Sequence, residues 1–149
     1  MKRIHQMIAT VFGLGYFPIA SGTVGSLAGL GLCLMLYKYI VLYVFVFFIL
    51  FFMGVVSSNH IENEMQVKDP SCVVIDEFAC IFLVFLFVPI SYSIVLVGFV
   101  LYRLIDIIKV PPMRFLEKKH GGWGIMMDDL VGGIYTNLIL HVLVYSNIL

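Results

Sequence analysis

Gly121-Gly122-Trp123-Gly124-Ile125-Met126-Met127-Asp128-Asp129 runs directly into residues 130–149, an apolar stretch of 20 residues. A stretch of that length is enough for a membrane-spanning helix. Three glycines in four residues ahead of it predict a sharp turn that approaches a ligand closely, because glycine alone takes positive φ freely. The turn is expected to deliver Asp128 and Asp129 to the head of the helix that follows. Two adjacent carboxylates repel each other unless a cation or a basic group offsets them. Their alternative use is to favour the positive end of that helix. A second acidic pair, Asp76-Glu77, tips the reading toward a metal site.

The composition around this stretch makes the chain a membrane protein. Of 149 residues, 62% are hydrophobic, and the mean hydropathy is +1.07, well outside the roughly 45–50% apolar content of soluble domains. Length alone gives a single domain over residues 1–149. Lys2 and Arg3 resemble a basic leader, but no short apolar region ends in a small-residue cleavage site, so the first helix is expected to stay. Net charge is zero and no basic tract invites nucleic acid. All nine acidic residues fall between positions 62 and 129. Cys33, Cys72 and Cys80 read as small core residues. A cysteine-nucleophile phosphatase needs an arginine six positions on, where this chain has Tyr39, Phe78 and Leu86, so that mechanism is excluded.

Taken in order, residues 4–17 suit a short interfacial helix. The backbone is then expected to break through 17–26, where Pro18, Gly22 and Gly25 alternate with Ser21, Thr23 and Ser26. Such a turn at a helix start can cradle a phosphate, although it lacks the P-loop lysine. Gly25 and Gly29 also fit close helix packing, the better reading for those two. Residues 27–37 and 40–56 suggest a helical hairpin, and 57–71 is the first polar segment, its His60, Glu62 and Glu64 reading as a solvated helix. The run 72–88 is apolar apart from Asp76 and Glu77, Pro89 turns the chain, and 90–108 returns. On that return Arg103, Asp106 and Lys109 stand three apart along one helical face. Ionised groups at the edge of a span are costly unless paired, and by default they mark function. Pro111-Pro112 ends that helix. Residues 113–120 form a basic amphipathic piece that suits anionic headgroups or simply water.

If runs 27–37, 40–56, 75–88, 90–108 and 130–149 cross alternately, connections 18–23, 57–74 and 109–129 share one side. That side holds eight of the nine basic residues, with Lys38 alone opposite, so it is expected to be cytoplasmic. The expected fold is therefore all-α: a compact, membrane-embedded, multi-pass bundle of about four to five apolar helices with its polar site at one membrane face. Runs of 11 residues (27–37, 78–88) give only about 17 Å of helix against a hydrocarbon core of about 30 Å. Either the acids lie in a hydrated pocket below the headgroups or some helices only half cross.

Asp76, Glu77, Asp128 and Asp129, with Asp106 nearby, form an all-oxygen ligand set that suits Mg²⁺. Arg103 and Lys109 supply donors for phosphate oxygens. Carboxylates, cations and a glycine turn (Gly22 with Thr23, and Gly122) are the parts of phosphoryl chemistry. A site embedded in a bilayer restricts the substrate to a phospholipid headgroup.

Five stretches in this order resemble the successive motifs of bacterial phosphatidylglycerophosphatase A: Ser21-Gly22-Thr23-Val24-Gly25-Ser26, Lys68-Asp69-Pro70, Val74-Ile75-Asp76-Glu77, Tyr102 to Lys109, and Gly121 to Asp129. Cys80 stands where that family usually has glycine, and Val110 where a proline usually follows the lysine; neither removes a charged group. The resemblance implies a Mg²⁺-dependent phosphatase of the bacterial inner membrane, active at the cytoplasmic face, that converts phosphatidylglycerophosphate to phosphatidylglycerol.

On this reading Asp76, Glu77, Asp128 and Asp129 hold the metal, a water attacks phosphorus in line, and Arg103 and Lys109 steady the phosphate. Gly22, Thr23 and Gly122 line the cradle, and Asp106 fixes Arg103 or joins the metal shell. His120 is a candidate proton donor, though a lone histidine beside a glycine turn is more often solvated. A covalent aspartyl-phosphate is the rival mechanism, without the usual Asp-x-Asp spacing. A cation-coupled transporter or channel also keeps acids in a helical bundle, but at mid-span. A CDP-alcohol phosphotransferase needs an Asp-x-x-Asp-Gly-x-x-Ala-Arg signature that this chain lacks.

Overall fold

A computed structural model describes residues 2–149, and among the described residues every regular element is helical. In chain order these are α1 (Lys2–Ala9), a 3₁₀ turn (Leu14–Tyr16), α2 (Ser21–Leu36), α3 (Ile40–Met65), α4 (Ile75–Val84), α5 (Tyr92–Ile108), α6 (Met113–Leu116) and α7 (Gly122–Tyr145). The all-α expectation holds. Of the four to five apolar helices expected, two, α3 and α7, are long and apolar enough to cross a membrane. Their 26 and 24 residues correspond to about 39 and 36 Å of helix. Only a third of the apolar window of each is buried, and Val41, Phe45, Phe48 and Phe52 of α3 are exposed. A soluble core helix would hide such residues, so their exposure is consistent with a membrane protein.

The centre of the bundle is α4, which packs against α2, α3, α5 and α7. Ala79, Cys80, Ile81, Phe82 and Val84 have no exposed surface. Residues 72–88 do not form one traversing helix, as the apolar run suggests, because α4 has only 10 residues. Its carbonyl ends are met from neighbouring helices: Asn137 Nδ2 donates to Val84 O (3.1 Å) and Leu86 O (2.9 Å), and the Tyr43 hydroxyl donates to Phe82 O (2.6 Å). A helix can end inside an apolar bundle only where such partners exist.

Three helix boundaries differ from the sequence reading, and each difference moves polar residues into helices. Helix α2 begins at Ser21, entered from Ala20 at φ 52°, so the expected glycine turn is its first turn. Gly25 then lies against Val74 of the loop before α4, while Gly29 lies against Phe78 O and Ile81 of α4 itself, the close packing that small residues permit. Helix α3 continues through the polar segment to Met65 because Ser57, Ser58 and Glu62 face inward. Glu62 is buried and not solvated: its Oε1 accepts the Gly121 N–H (3.0 Å) and lies 3.3 Å from His120 Nδ1, meeting an otherwise unpaired donor at the head of α7.

Helix α7 begins at Gly122, so Asp128 and Asp129 sit almost two turns inside it and not at its head. Gly122 is buried, and a Cβ there would run into Val55 O of α3. One turn on, Met126 Sδ occupies the space where a Cβ on Gly54 would stand, at 2.7 Å. Gly122→Ala is therefore expected to force α3 and α7 apart, costing about 3 kcal/mol, at the upper end for overpacking. A lowered melting temperature in detergent is the readout, and an unchanged one rules out this close crossing.

Candidate active site

The starts of α2 and α4, the second turn of α7 and the end of α5 meet around a cleft of about 360 Å³. Its lining includes Asp69, Asp76, Glu77, Asp106, Asp128 and Asp129, with Lys109 as the lining cation and Val73 and Ile107 as apolar walls. Each acid is placed by its element. Asp76 and Glu77 occupy the first turn of α4, whose entry is pinned by the Val74 N–H donating to Ala9 O at 2.9 Å. Asp106 lies on the last turns of α5, and Asp69, at φ 46°, belongs to the loop between α3 and α4.

Asp76, Glu77 and Asp129 converge: each offers one carboxylate oxygen, and these three atoms lie within 4.8 Å of one another. Asp76 Oδ1, Glu77 Oε2 and Asp129 Oδ1 are buried without a hydrogen-bond partner. Buried carboxylates so close together cannot all stay ionised without a compensating positive charge. Protein cations do not supply it in full. Arg103 Nη1 lies 2.9 Å from Asp106 Oδ2 but 3.8 Å from Glu77 Oε1. Three hard oxygen ligands in an acidic cleft fit a small divalent cation.

Asp128 takes a different partner. Adjacent residues on a helix point about 100° apart, and while Asp129 faces α4, Asp128 Oδ2 accepts from Lys109 Nζ at 2.9 Å. The same ammonium lies 3.0 Å from Glu117 Oε1. Partial burial draws the Lys109 pKa down, but the hydrogen bonds and charges of Asp128 and Glu117 outweigh it and hold the pKa above the usual lysine value. Arg114 secures the helix end, its Nε donating to Lys109 O (3.1 Å) and its Nη2 to Ile108 O (3.2 Å).

Arg103 is mostly engaged from one nitrogen. Besides the two carboxylates, Nη1 donates to Ser26 Oγ at 3.3 Å, while the buried Nε has no partner. Gly22 sits where Glu77 and Arg103 meet: a Cβ there would overlap the Glu77 carboxylate and stand 3.3 Å from Arg103 Nη2.

The structure thus brings together Asp76, Glu77, Asp129, Arg103 and Gly22, and beside them Asp128 with Lys109. Gly122 is placed against α3, Thr23 is not among the cleft-lining residues, and the His120 side chain is 81% exposed next to Glu62. Sequence reasoning put Ser21 in the cradle turn but gave no role to Ser71, to Asp69, or to Glu117 as a partner of Lys109. Asp69 had a local signal in the Lys68-Asp69-Pro70 motif; Glu117 is a long-range partner with none.

The family model of phosphatidylglycerophosphatase A matches residues 7–144. A phosphatidylglycerophosphatase A of Haemophilus influenzae is 34% identical over 97% of this chain and 91% of its own length. One from Escherichia coli is 34% identical over 95% and 84%. A putative phosphatidylinositol-3-phosphatase of Bacteroides thetaiotaomicron is also 34% identical, over 95% and 96%. No solved structure matches the chain. A family match over nearly the whole length, with the carboxylates gathered in one cleft and Arg103 paired to two of them, leads to one conclusion: the chain belongs to the phosphatidylglycerophosphatase A family.

Proposed function

We propose that the protein is a Mg²⁺-dependent phosphoric monoester hydrolase that removes the terminal phosphate of phosphatidylglycerophosphate to leave phosphatidylglycerol. The observation that carries this reading is the convergence of Asp76, Glu77 and Asp129, each of which also has a buried oxygen without a hydrogen-bond partner, near the Arg103 guanidinium. These three residues would hold the ion. When bound, Mg²⁺ neutralises phosphate charge and acidifies a water at neutral pH. Arg103 binds the phosphate oxygens through donors that Asp106 and Ser26 leave free, and Asp106 fixes its orientation. Lys109, clamped by Asp128 and Glu117, joins the end of α5 to α7 and contributes positive potential to the cleft wall. Val73, 5% exposed, forms an apolar wall beside the reacting phosphate.

A cation-coupled transporter fits less well, because Asp76 and Glu77 lie in the first turn of α4, and Asp128 and Asp129 in the second turn of α7, all at one end of the bundle and not at mid-span. A second substrate reading rests on the relative described as a putative phosphatidylinositol-3-phosphatase, at the same identity. Both lipids carry a phosphomonoester on a diester-linked headgroup. Purified protein given each lipid, with Mg²⁺ or with excess chelator, separates the readings: Mg²⁺-dependent phosphate release from phosphatidylglycerophosphate is expected. Faster release from the inositol lipid would change the substrate, and full activity in chelator would remove the metal.

Gly22→Ala is expected to lower phosphate release about 10²-fold, the scale of a 1 Å misplacement of reacting groups, with little change in melting temperature. Its new methyl group displaces Glu77 without touching the buried core. A wild-type rate in that variant would show that Glu77 is free to shift without consequence.

In this reading the site faces the cytoplasm from a bacterial inner membrane, which the eight-to-one distribution of basic residues in the sequence supports. Cys33, Cys72 and Cys80 are buried, so a cysteine introduced at Lys119 reports alone. An impermeant thiol reagent is expected to leave it unlabelled in intact cells and to label it after lysis. Labelling from outside reverses the orientation.

A further inference from the structure

A second concavity, a groove of about 530 Å³, adjoins the carboxylate cleft. The two share Ser21 and Ser71, which are joined by a hydrogen bond from Ser21 Oγ to Ser71 O at 3.1 Å. Away from that shared wall the groove is lined by Tyr16 and Phe17 from the segment before α2 and by Met65 and Val67 from the end of α3 and the loop after it. All four are about half exposed, between 51% and 57%. The acidic cleft is closed to acyl chains by its six carboxylates, whereas this groove combines polar groups at the shared wall with large apolar side chains beyond it.

The geometry points to this groove as the seat of the glycerol-ester region and the first acyl methylenes of the phospholipid substrate, with the headgroup passing over the Ser21–Ser71 wall into the cleft. The inference rests on the lipid-phosphatase reading and extends it by assigning the other end of the substrate. Continuity at Ser21 and Ser71 commits the occupant: a molecule whose phosphomonoester reaches Asp76, Glu77 and Asp129 and whose opposite end is apolar lies across both concavities. Exposed Tyr16, Phe17, Met65 and Val67 are then explained as lipid contacts.

The test uses the detergent-solubilised full chain and phosphatidylglycerophosphate carrying a diazirine near the carbonyl end of one acyl chain. Photolysis is expected to label peptides covering residues 15–21 and 65–72. Labelling confined to the outer faces of α3 and α7, around Phe48 or Leu138, overturns the groove. Phe17→Asp and Val67→Asp are expected to raise KM for the lipid in mixed micelles about tenfold, the effect of losing one or two methylenes' worth of apolar contact, with kcat nearly unchanged. A fall in kcat at unchanged KM overturns the assignment, because it marks a role in the chemical step. Phosphate release by the wild type is recorded in the same assay. Its absence refutes the phosphatase reading, while the labelling pattern still decides whether the groove takes lipid.

Discussion

Asp129→Asn is expected to lower kcat/KM for phosphate release by at least about 10³-fold, or about 4 kcal/mol of transition-state stabilisation, without unfolding the protein. Asp129 is 3% exposed, its Oδ1 has no hydrogen-bond partner, and one of its oxygens lies within 4.8 Å of oxygens of Asp76 and Glu77. The amide keeps the shape of the carboxylate and one acceptor oxygen while removing the charge, so the packing of α7 on α4 is preserved. In metal-free buffer the variant is expected to melt at the same temperature as the wild type or higher, because one of three mutually repelling carboxylates has become neutral. Added Mg²⁺ should stabilise the wild type by mass action and the variant far less. Melting curves with and without Mg²⁺ therefore test the metal site without relying on turnover. If wild type and variant respond equally to Mg²⁺, Asp129 does not hold the ion. If the variant instead melts well below the wild type in chelator, Asp129 is a structural group whose unpartnered oxygen has been misread.

The comparison of Asp128 with Asp129 shows how far the site is legible in the sequence. Both acidic pairs, their grouping with Arg103, and their position at one end of an apolar bundle follow from residue type and spacing. The division of labour within the second pair does not follow, because it depends on which way α7 is rotated against α4 and α5. That rotation is set by contacts distant in sequence: Gly122 against Val55, Gly54 against Met126, and Glu62 accepting from Gly121. Each is a pairing between residues more than fifty positions apart, and glycine or an inward-facing glutamate carries no local sign of its partner. The same limit explains α4. An apolar run from 72 to 88 is indistinguishable by hydropathy from a crossing helix; what ends it at Val84 is Asn137, from another helix. Conversely, Gly25 and Gly29 reveal their packing role locally, since a small residue every fourth position forms a smooth stripe on any helix.

Arg103→Lys is expected to reduce kcat about 10²-fold or more, comparable to the loss of one preorganised transition-state donor, with little change in stability. The argument depends on how the guanidinium is used. Nη1 alone meets Asp106, Ser26 and, at 3.8 Å, Glu77; Nε is buried without a partner. A residue serving only to balance charge would present its fork side-on to the carboxylate, engaging two nitrogens, as bidentate pairs do. Here one nitrogen holds the protein, which leaves Nη2, beside Gly22, for an anion. Lysine can keep the Asp106 contact and the net charge, so a structural role predicts near-normal kcat for Arg103→Lys. It also predicts that Arg103→Met and Asp106→Asn lower the melting temperature to a similar degree. A phosphate-binding role predicts a different pattern: the loss of kcat in Arg103→Lys exceeds any loss of stability, and Asp106→Asn, which frees the guanidinium to reorient, lowers kcat less than Arg103→Lys does. Measuring kcat and melting temperature on the same detergent-solubilised preparations distinguishes the two patterns, and normal turnover in Arg103→Lys would end the phosphate assignment.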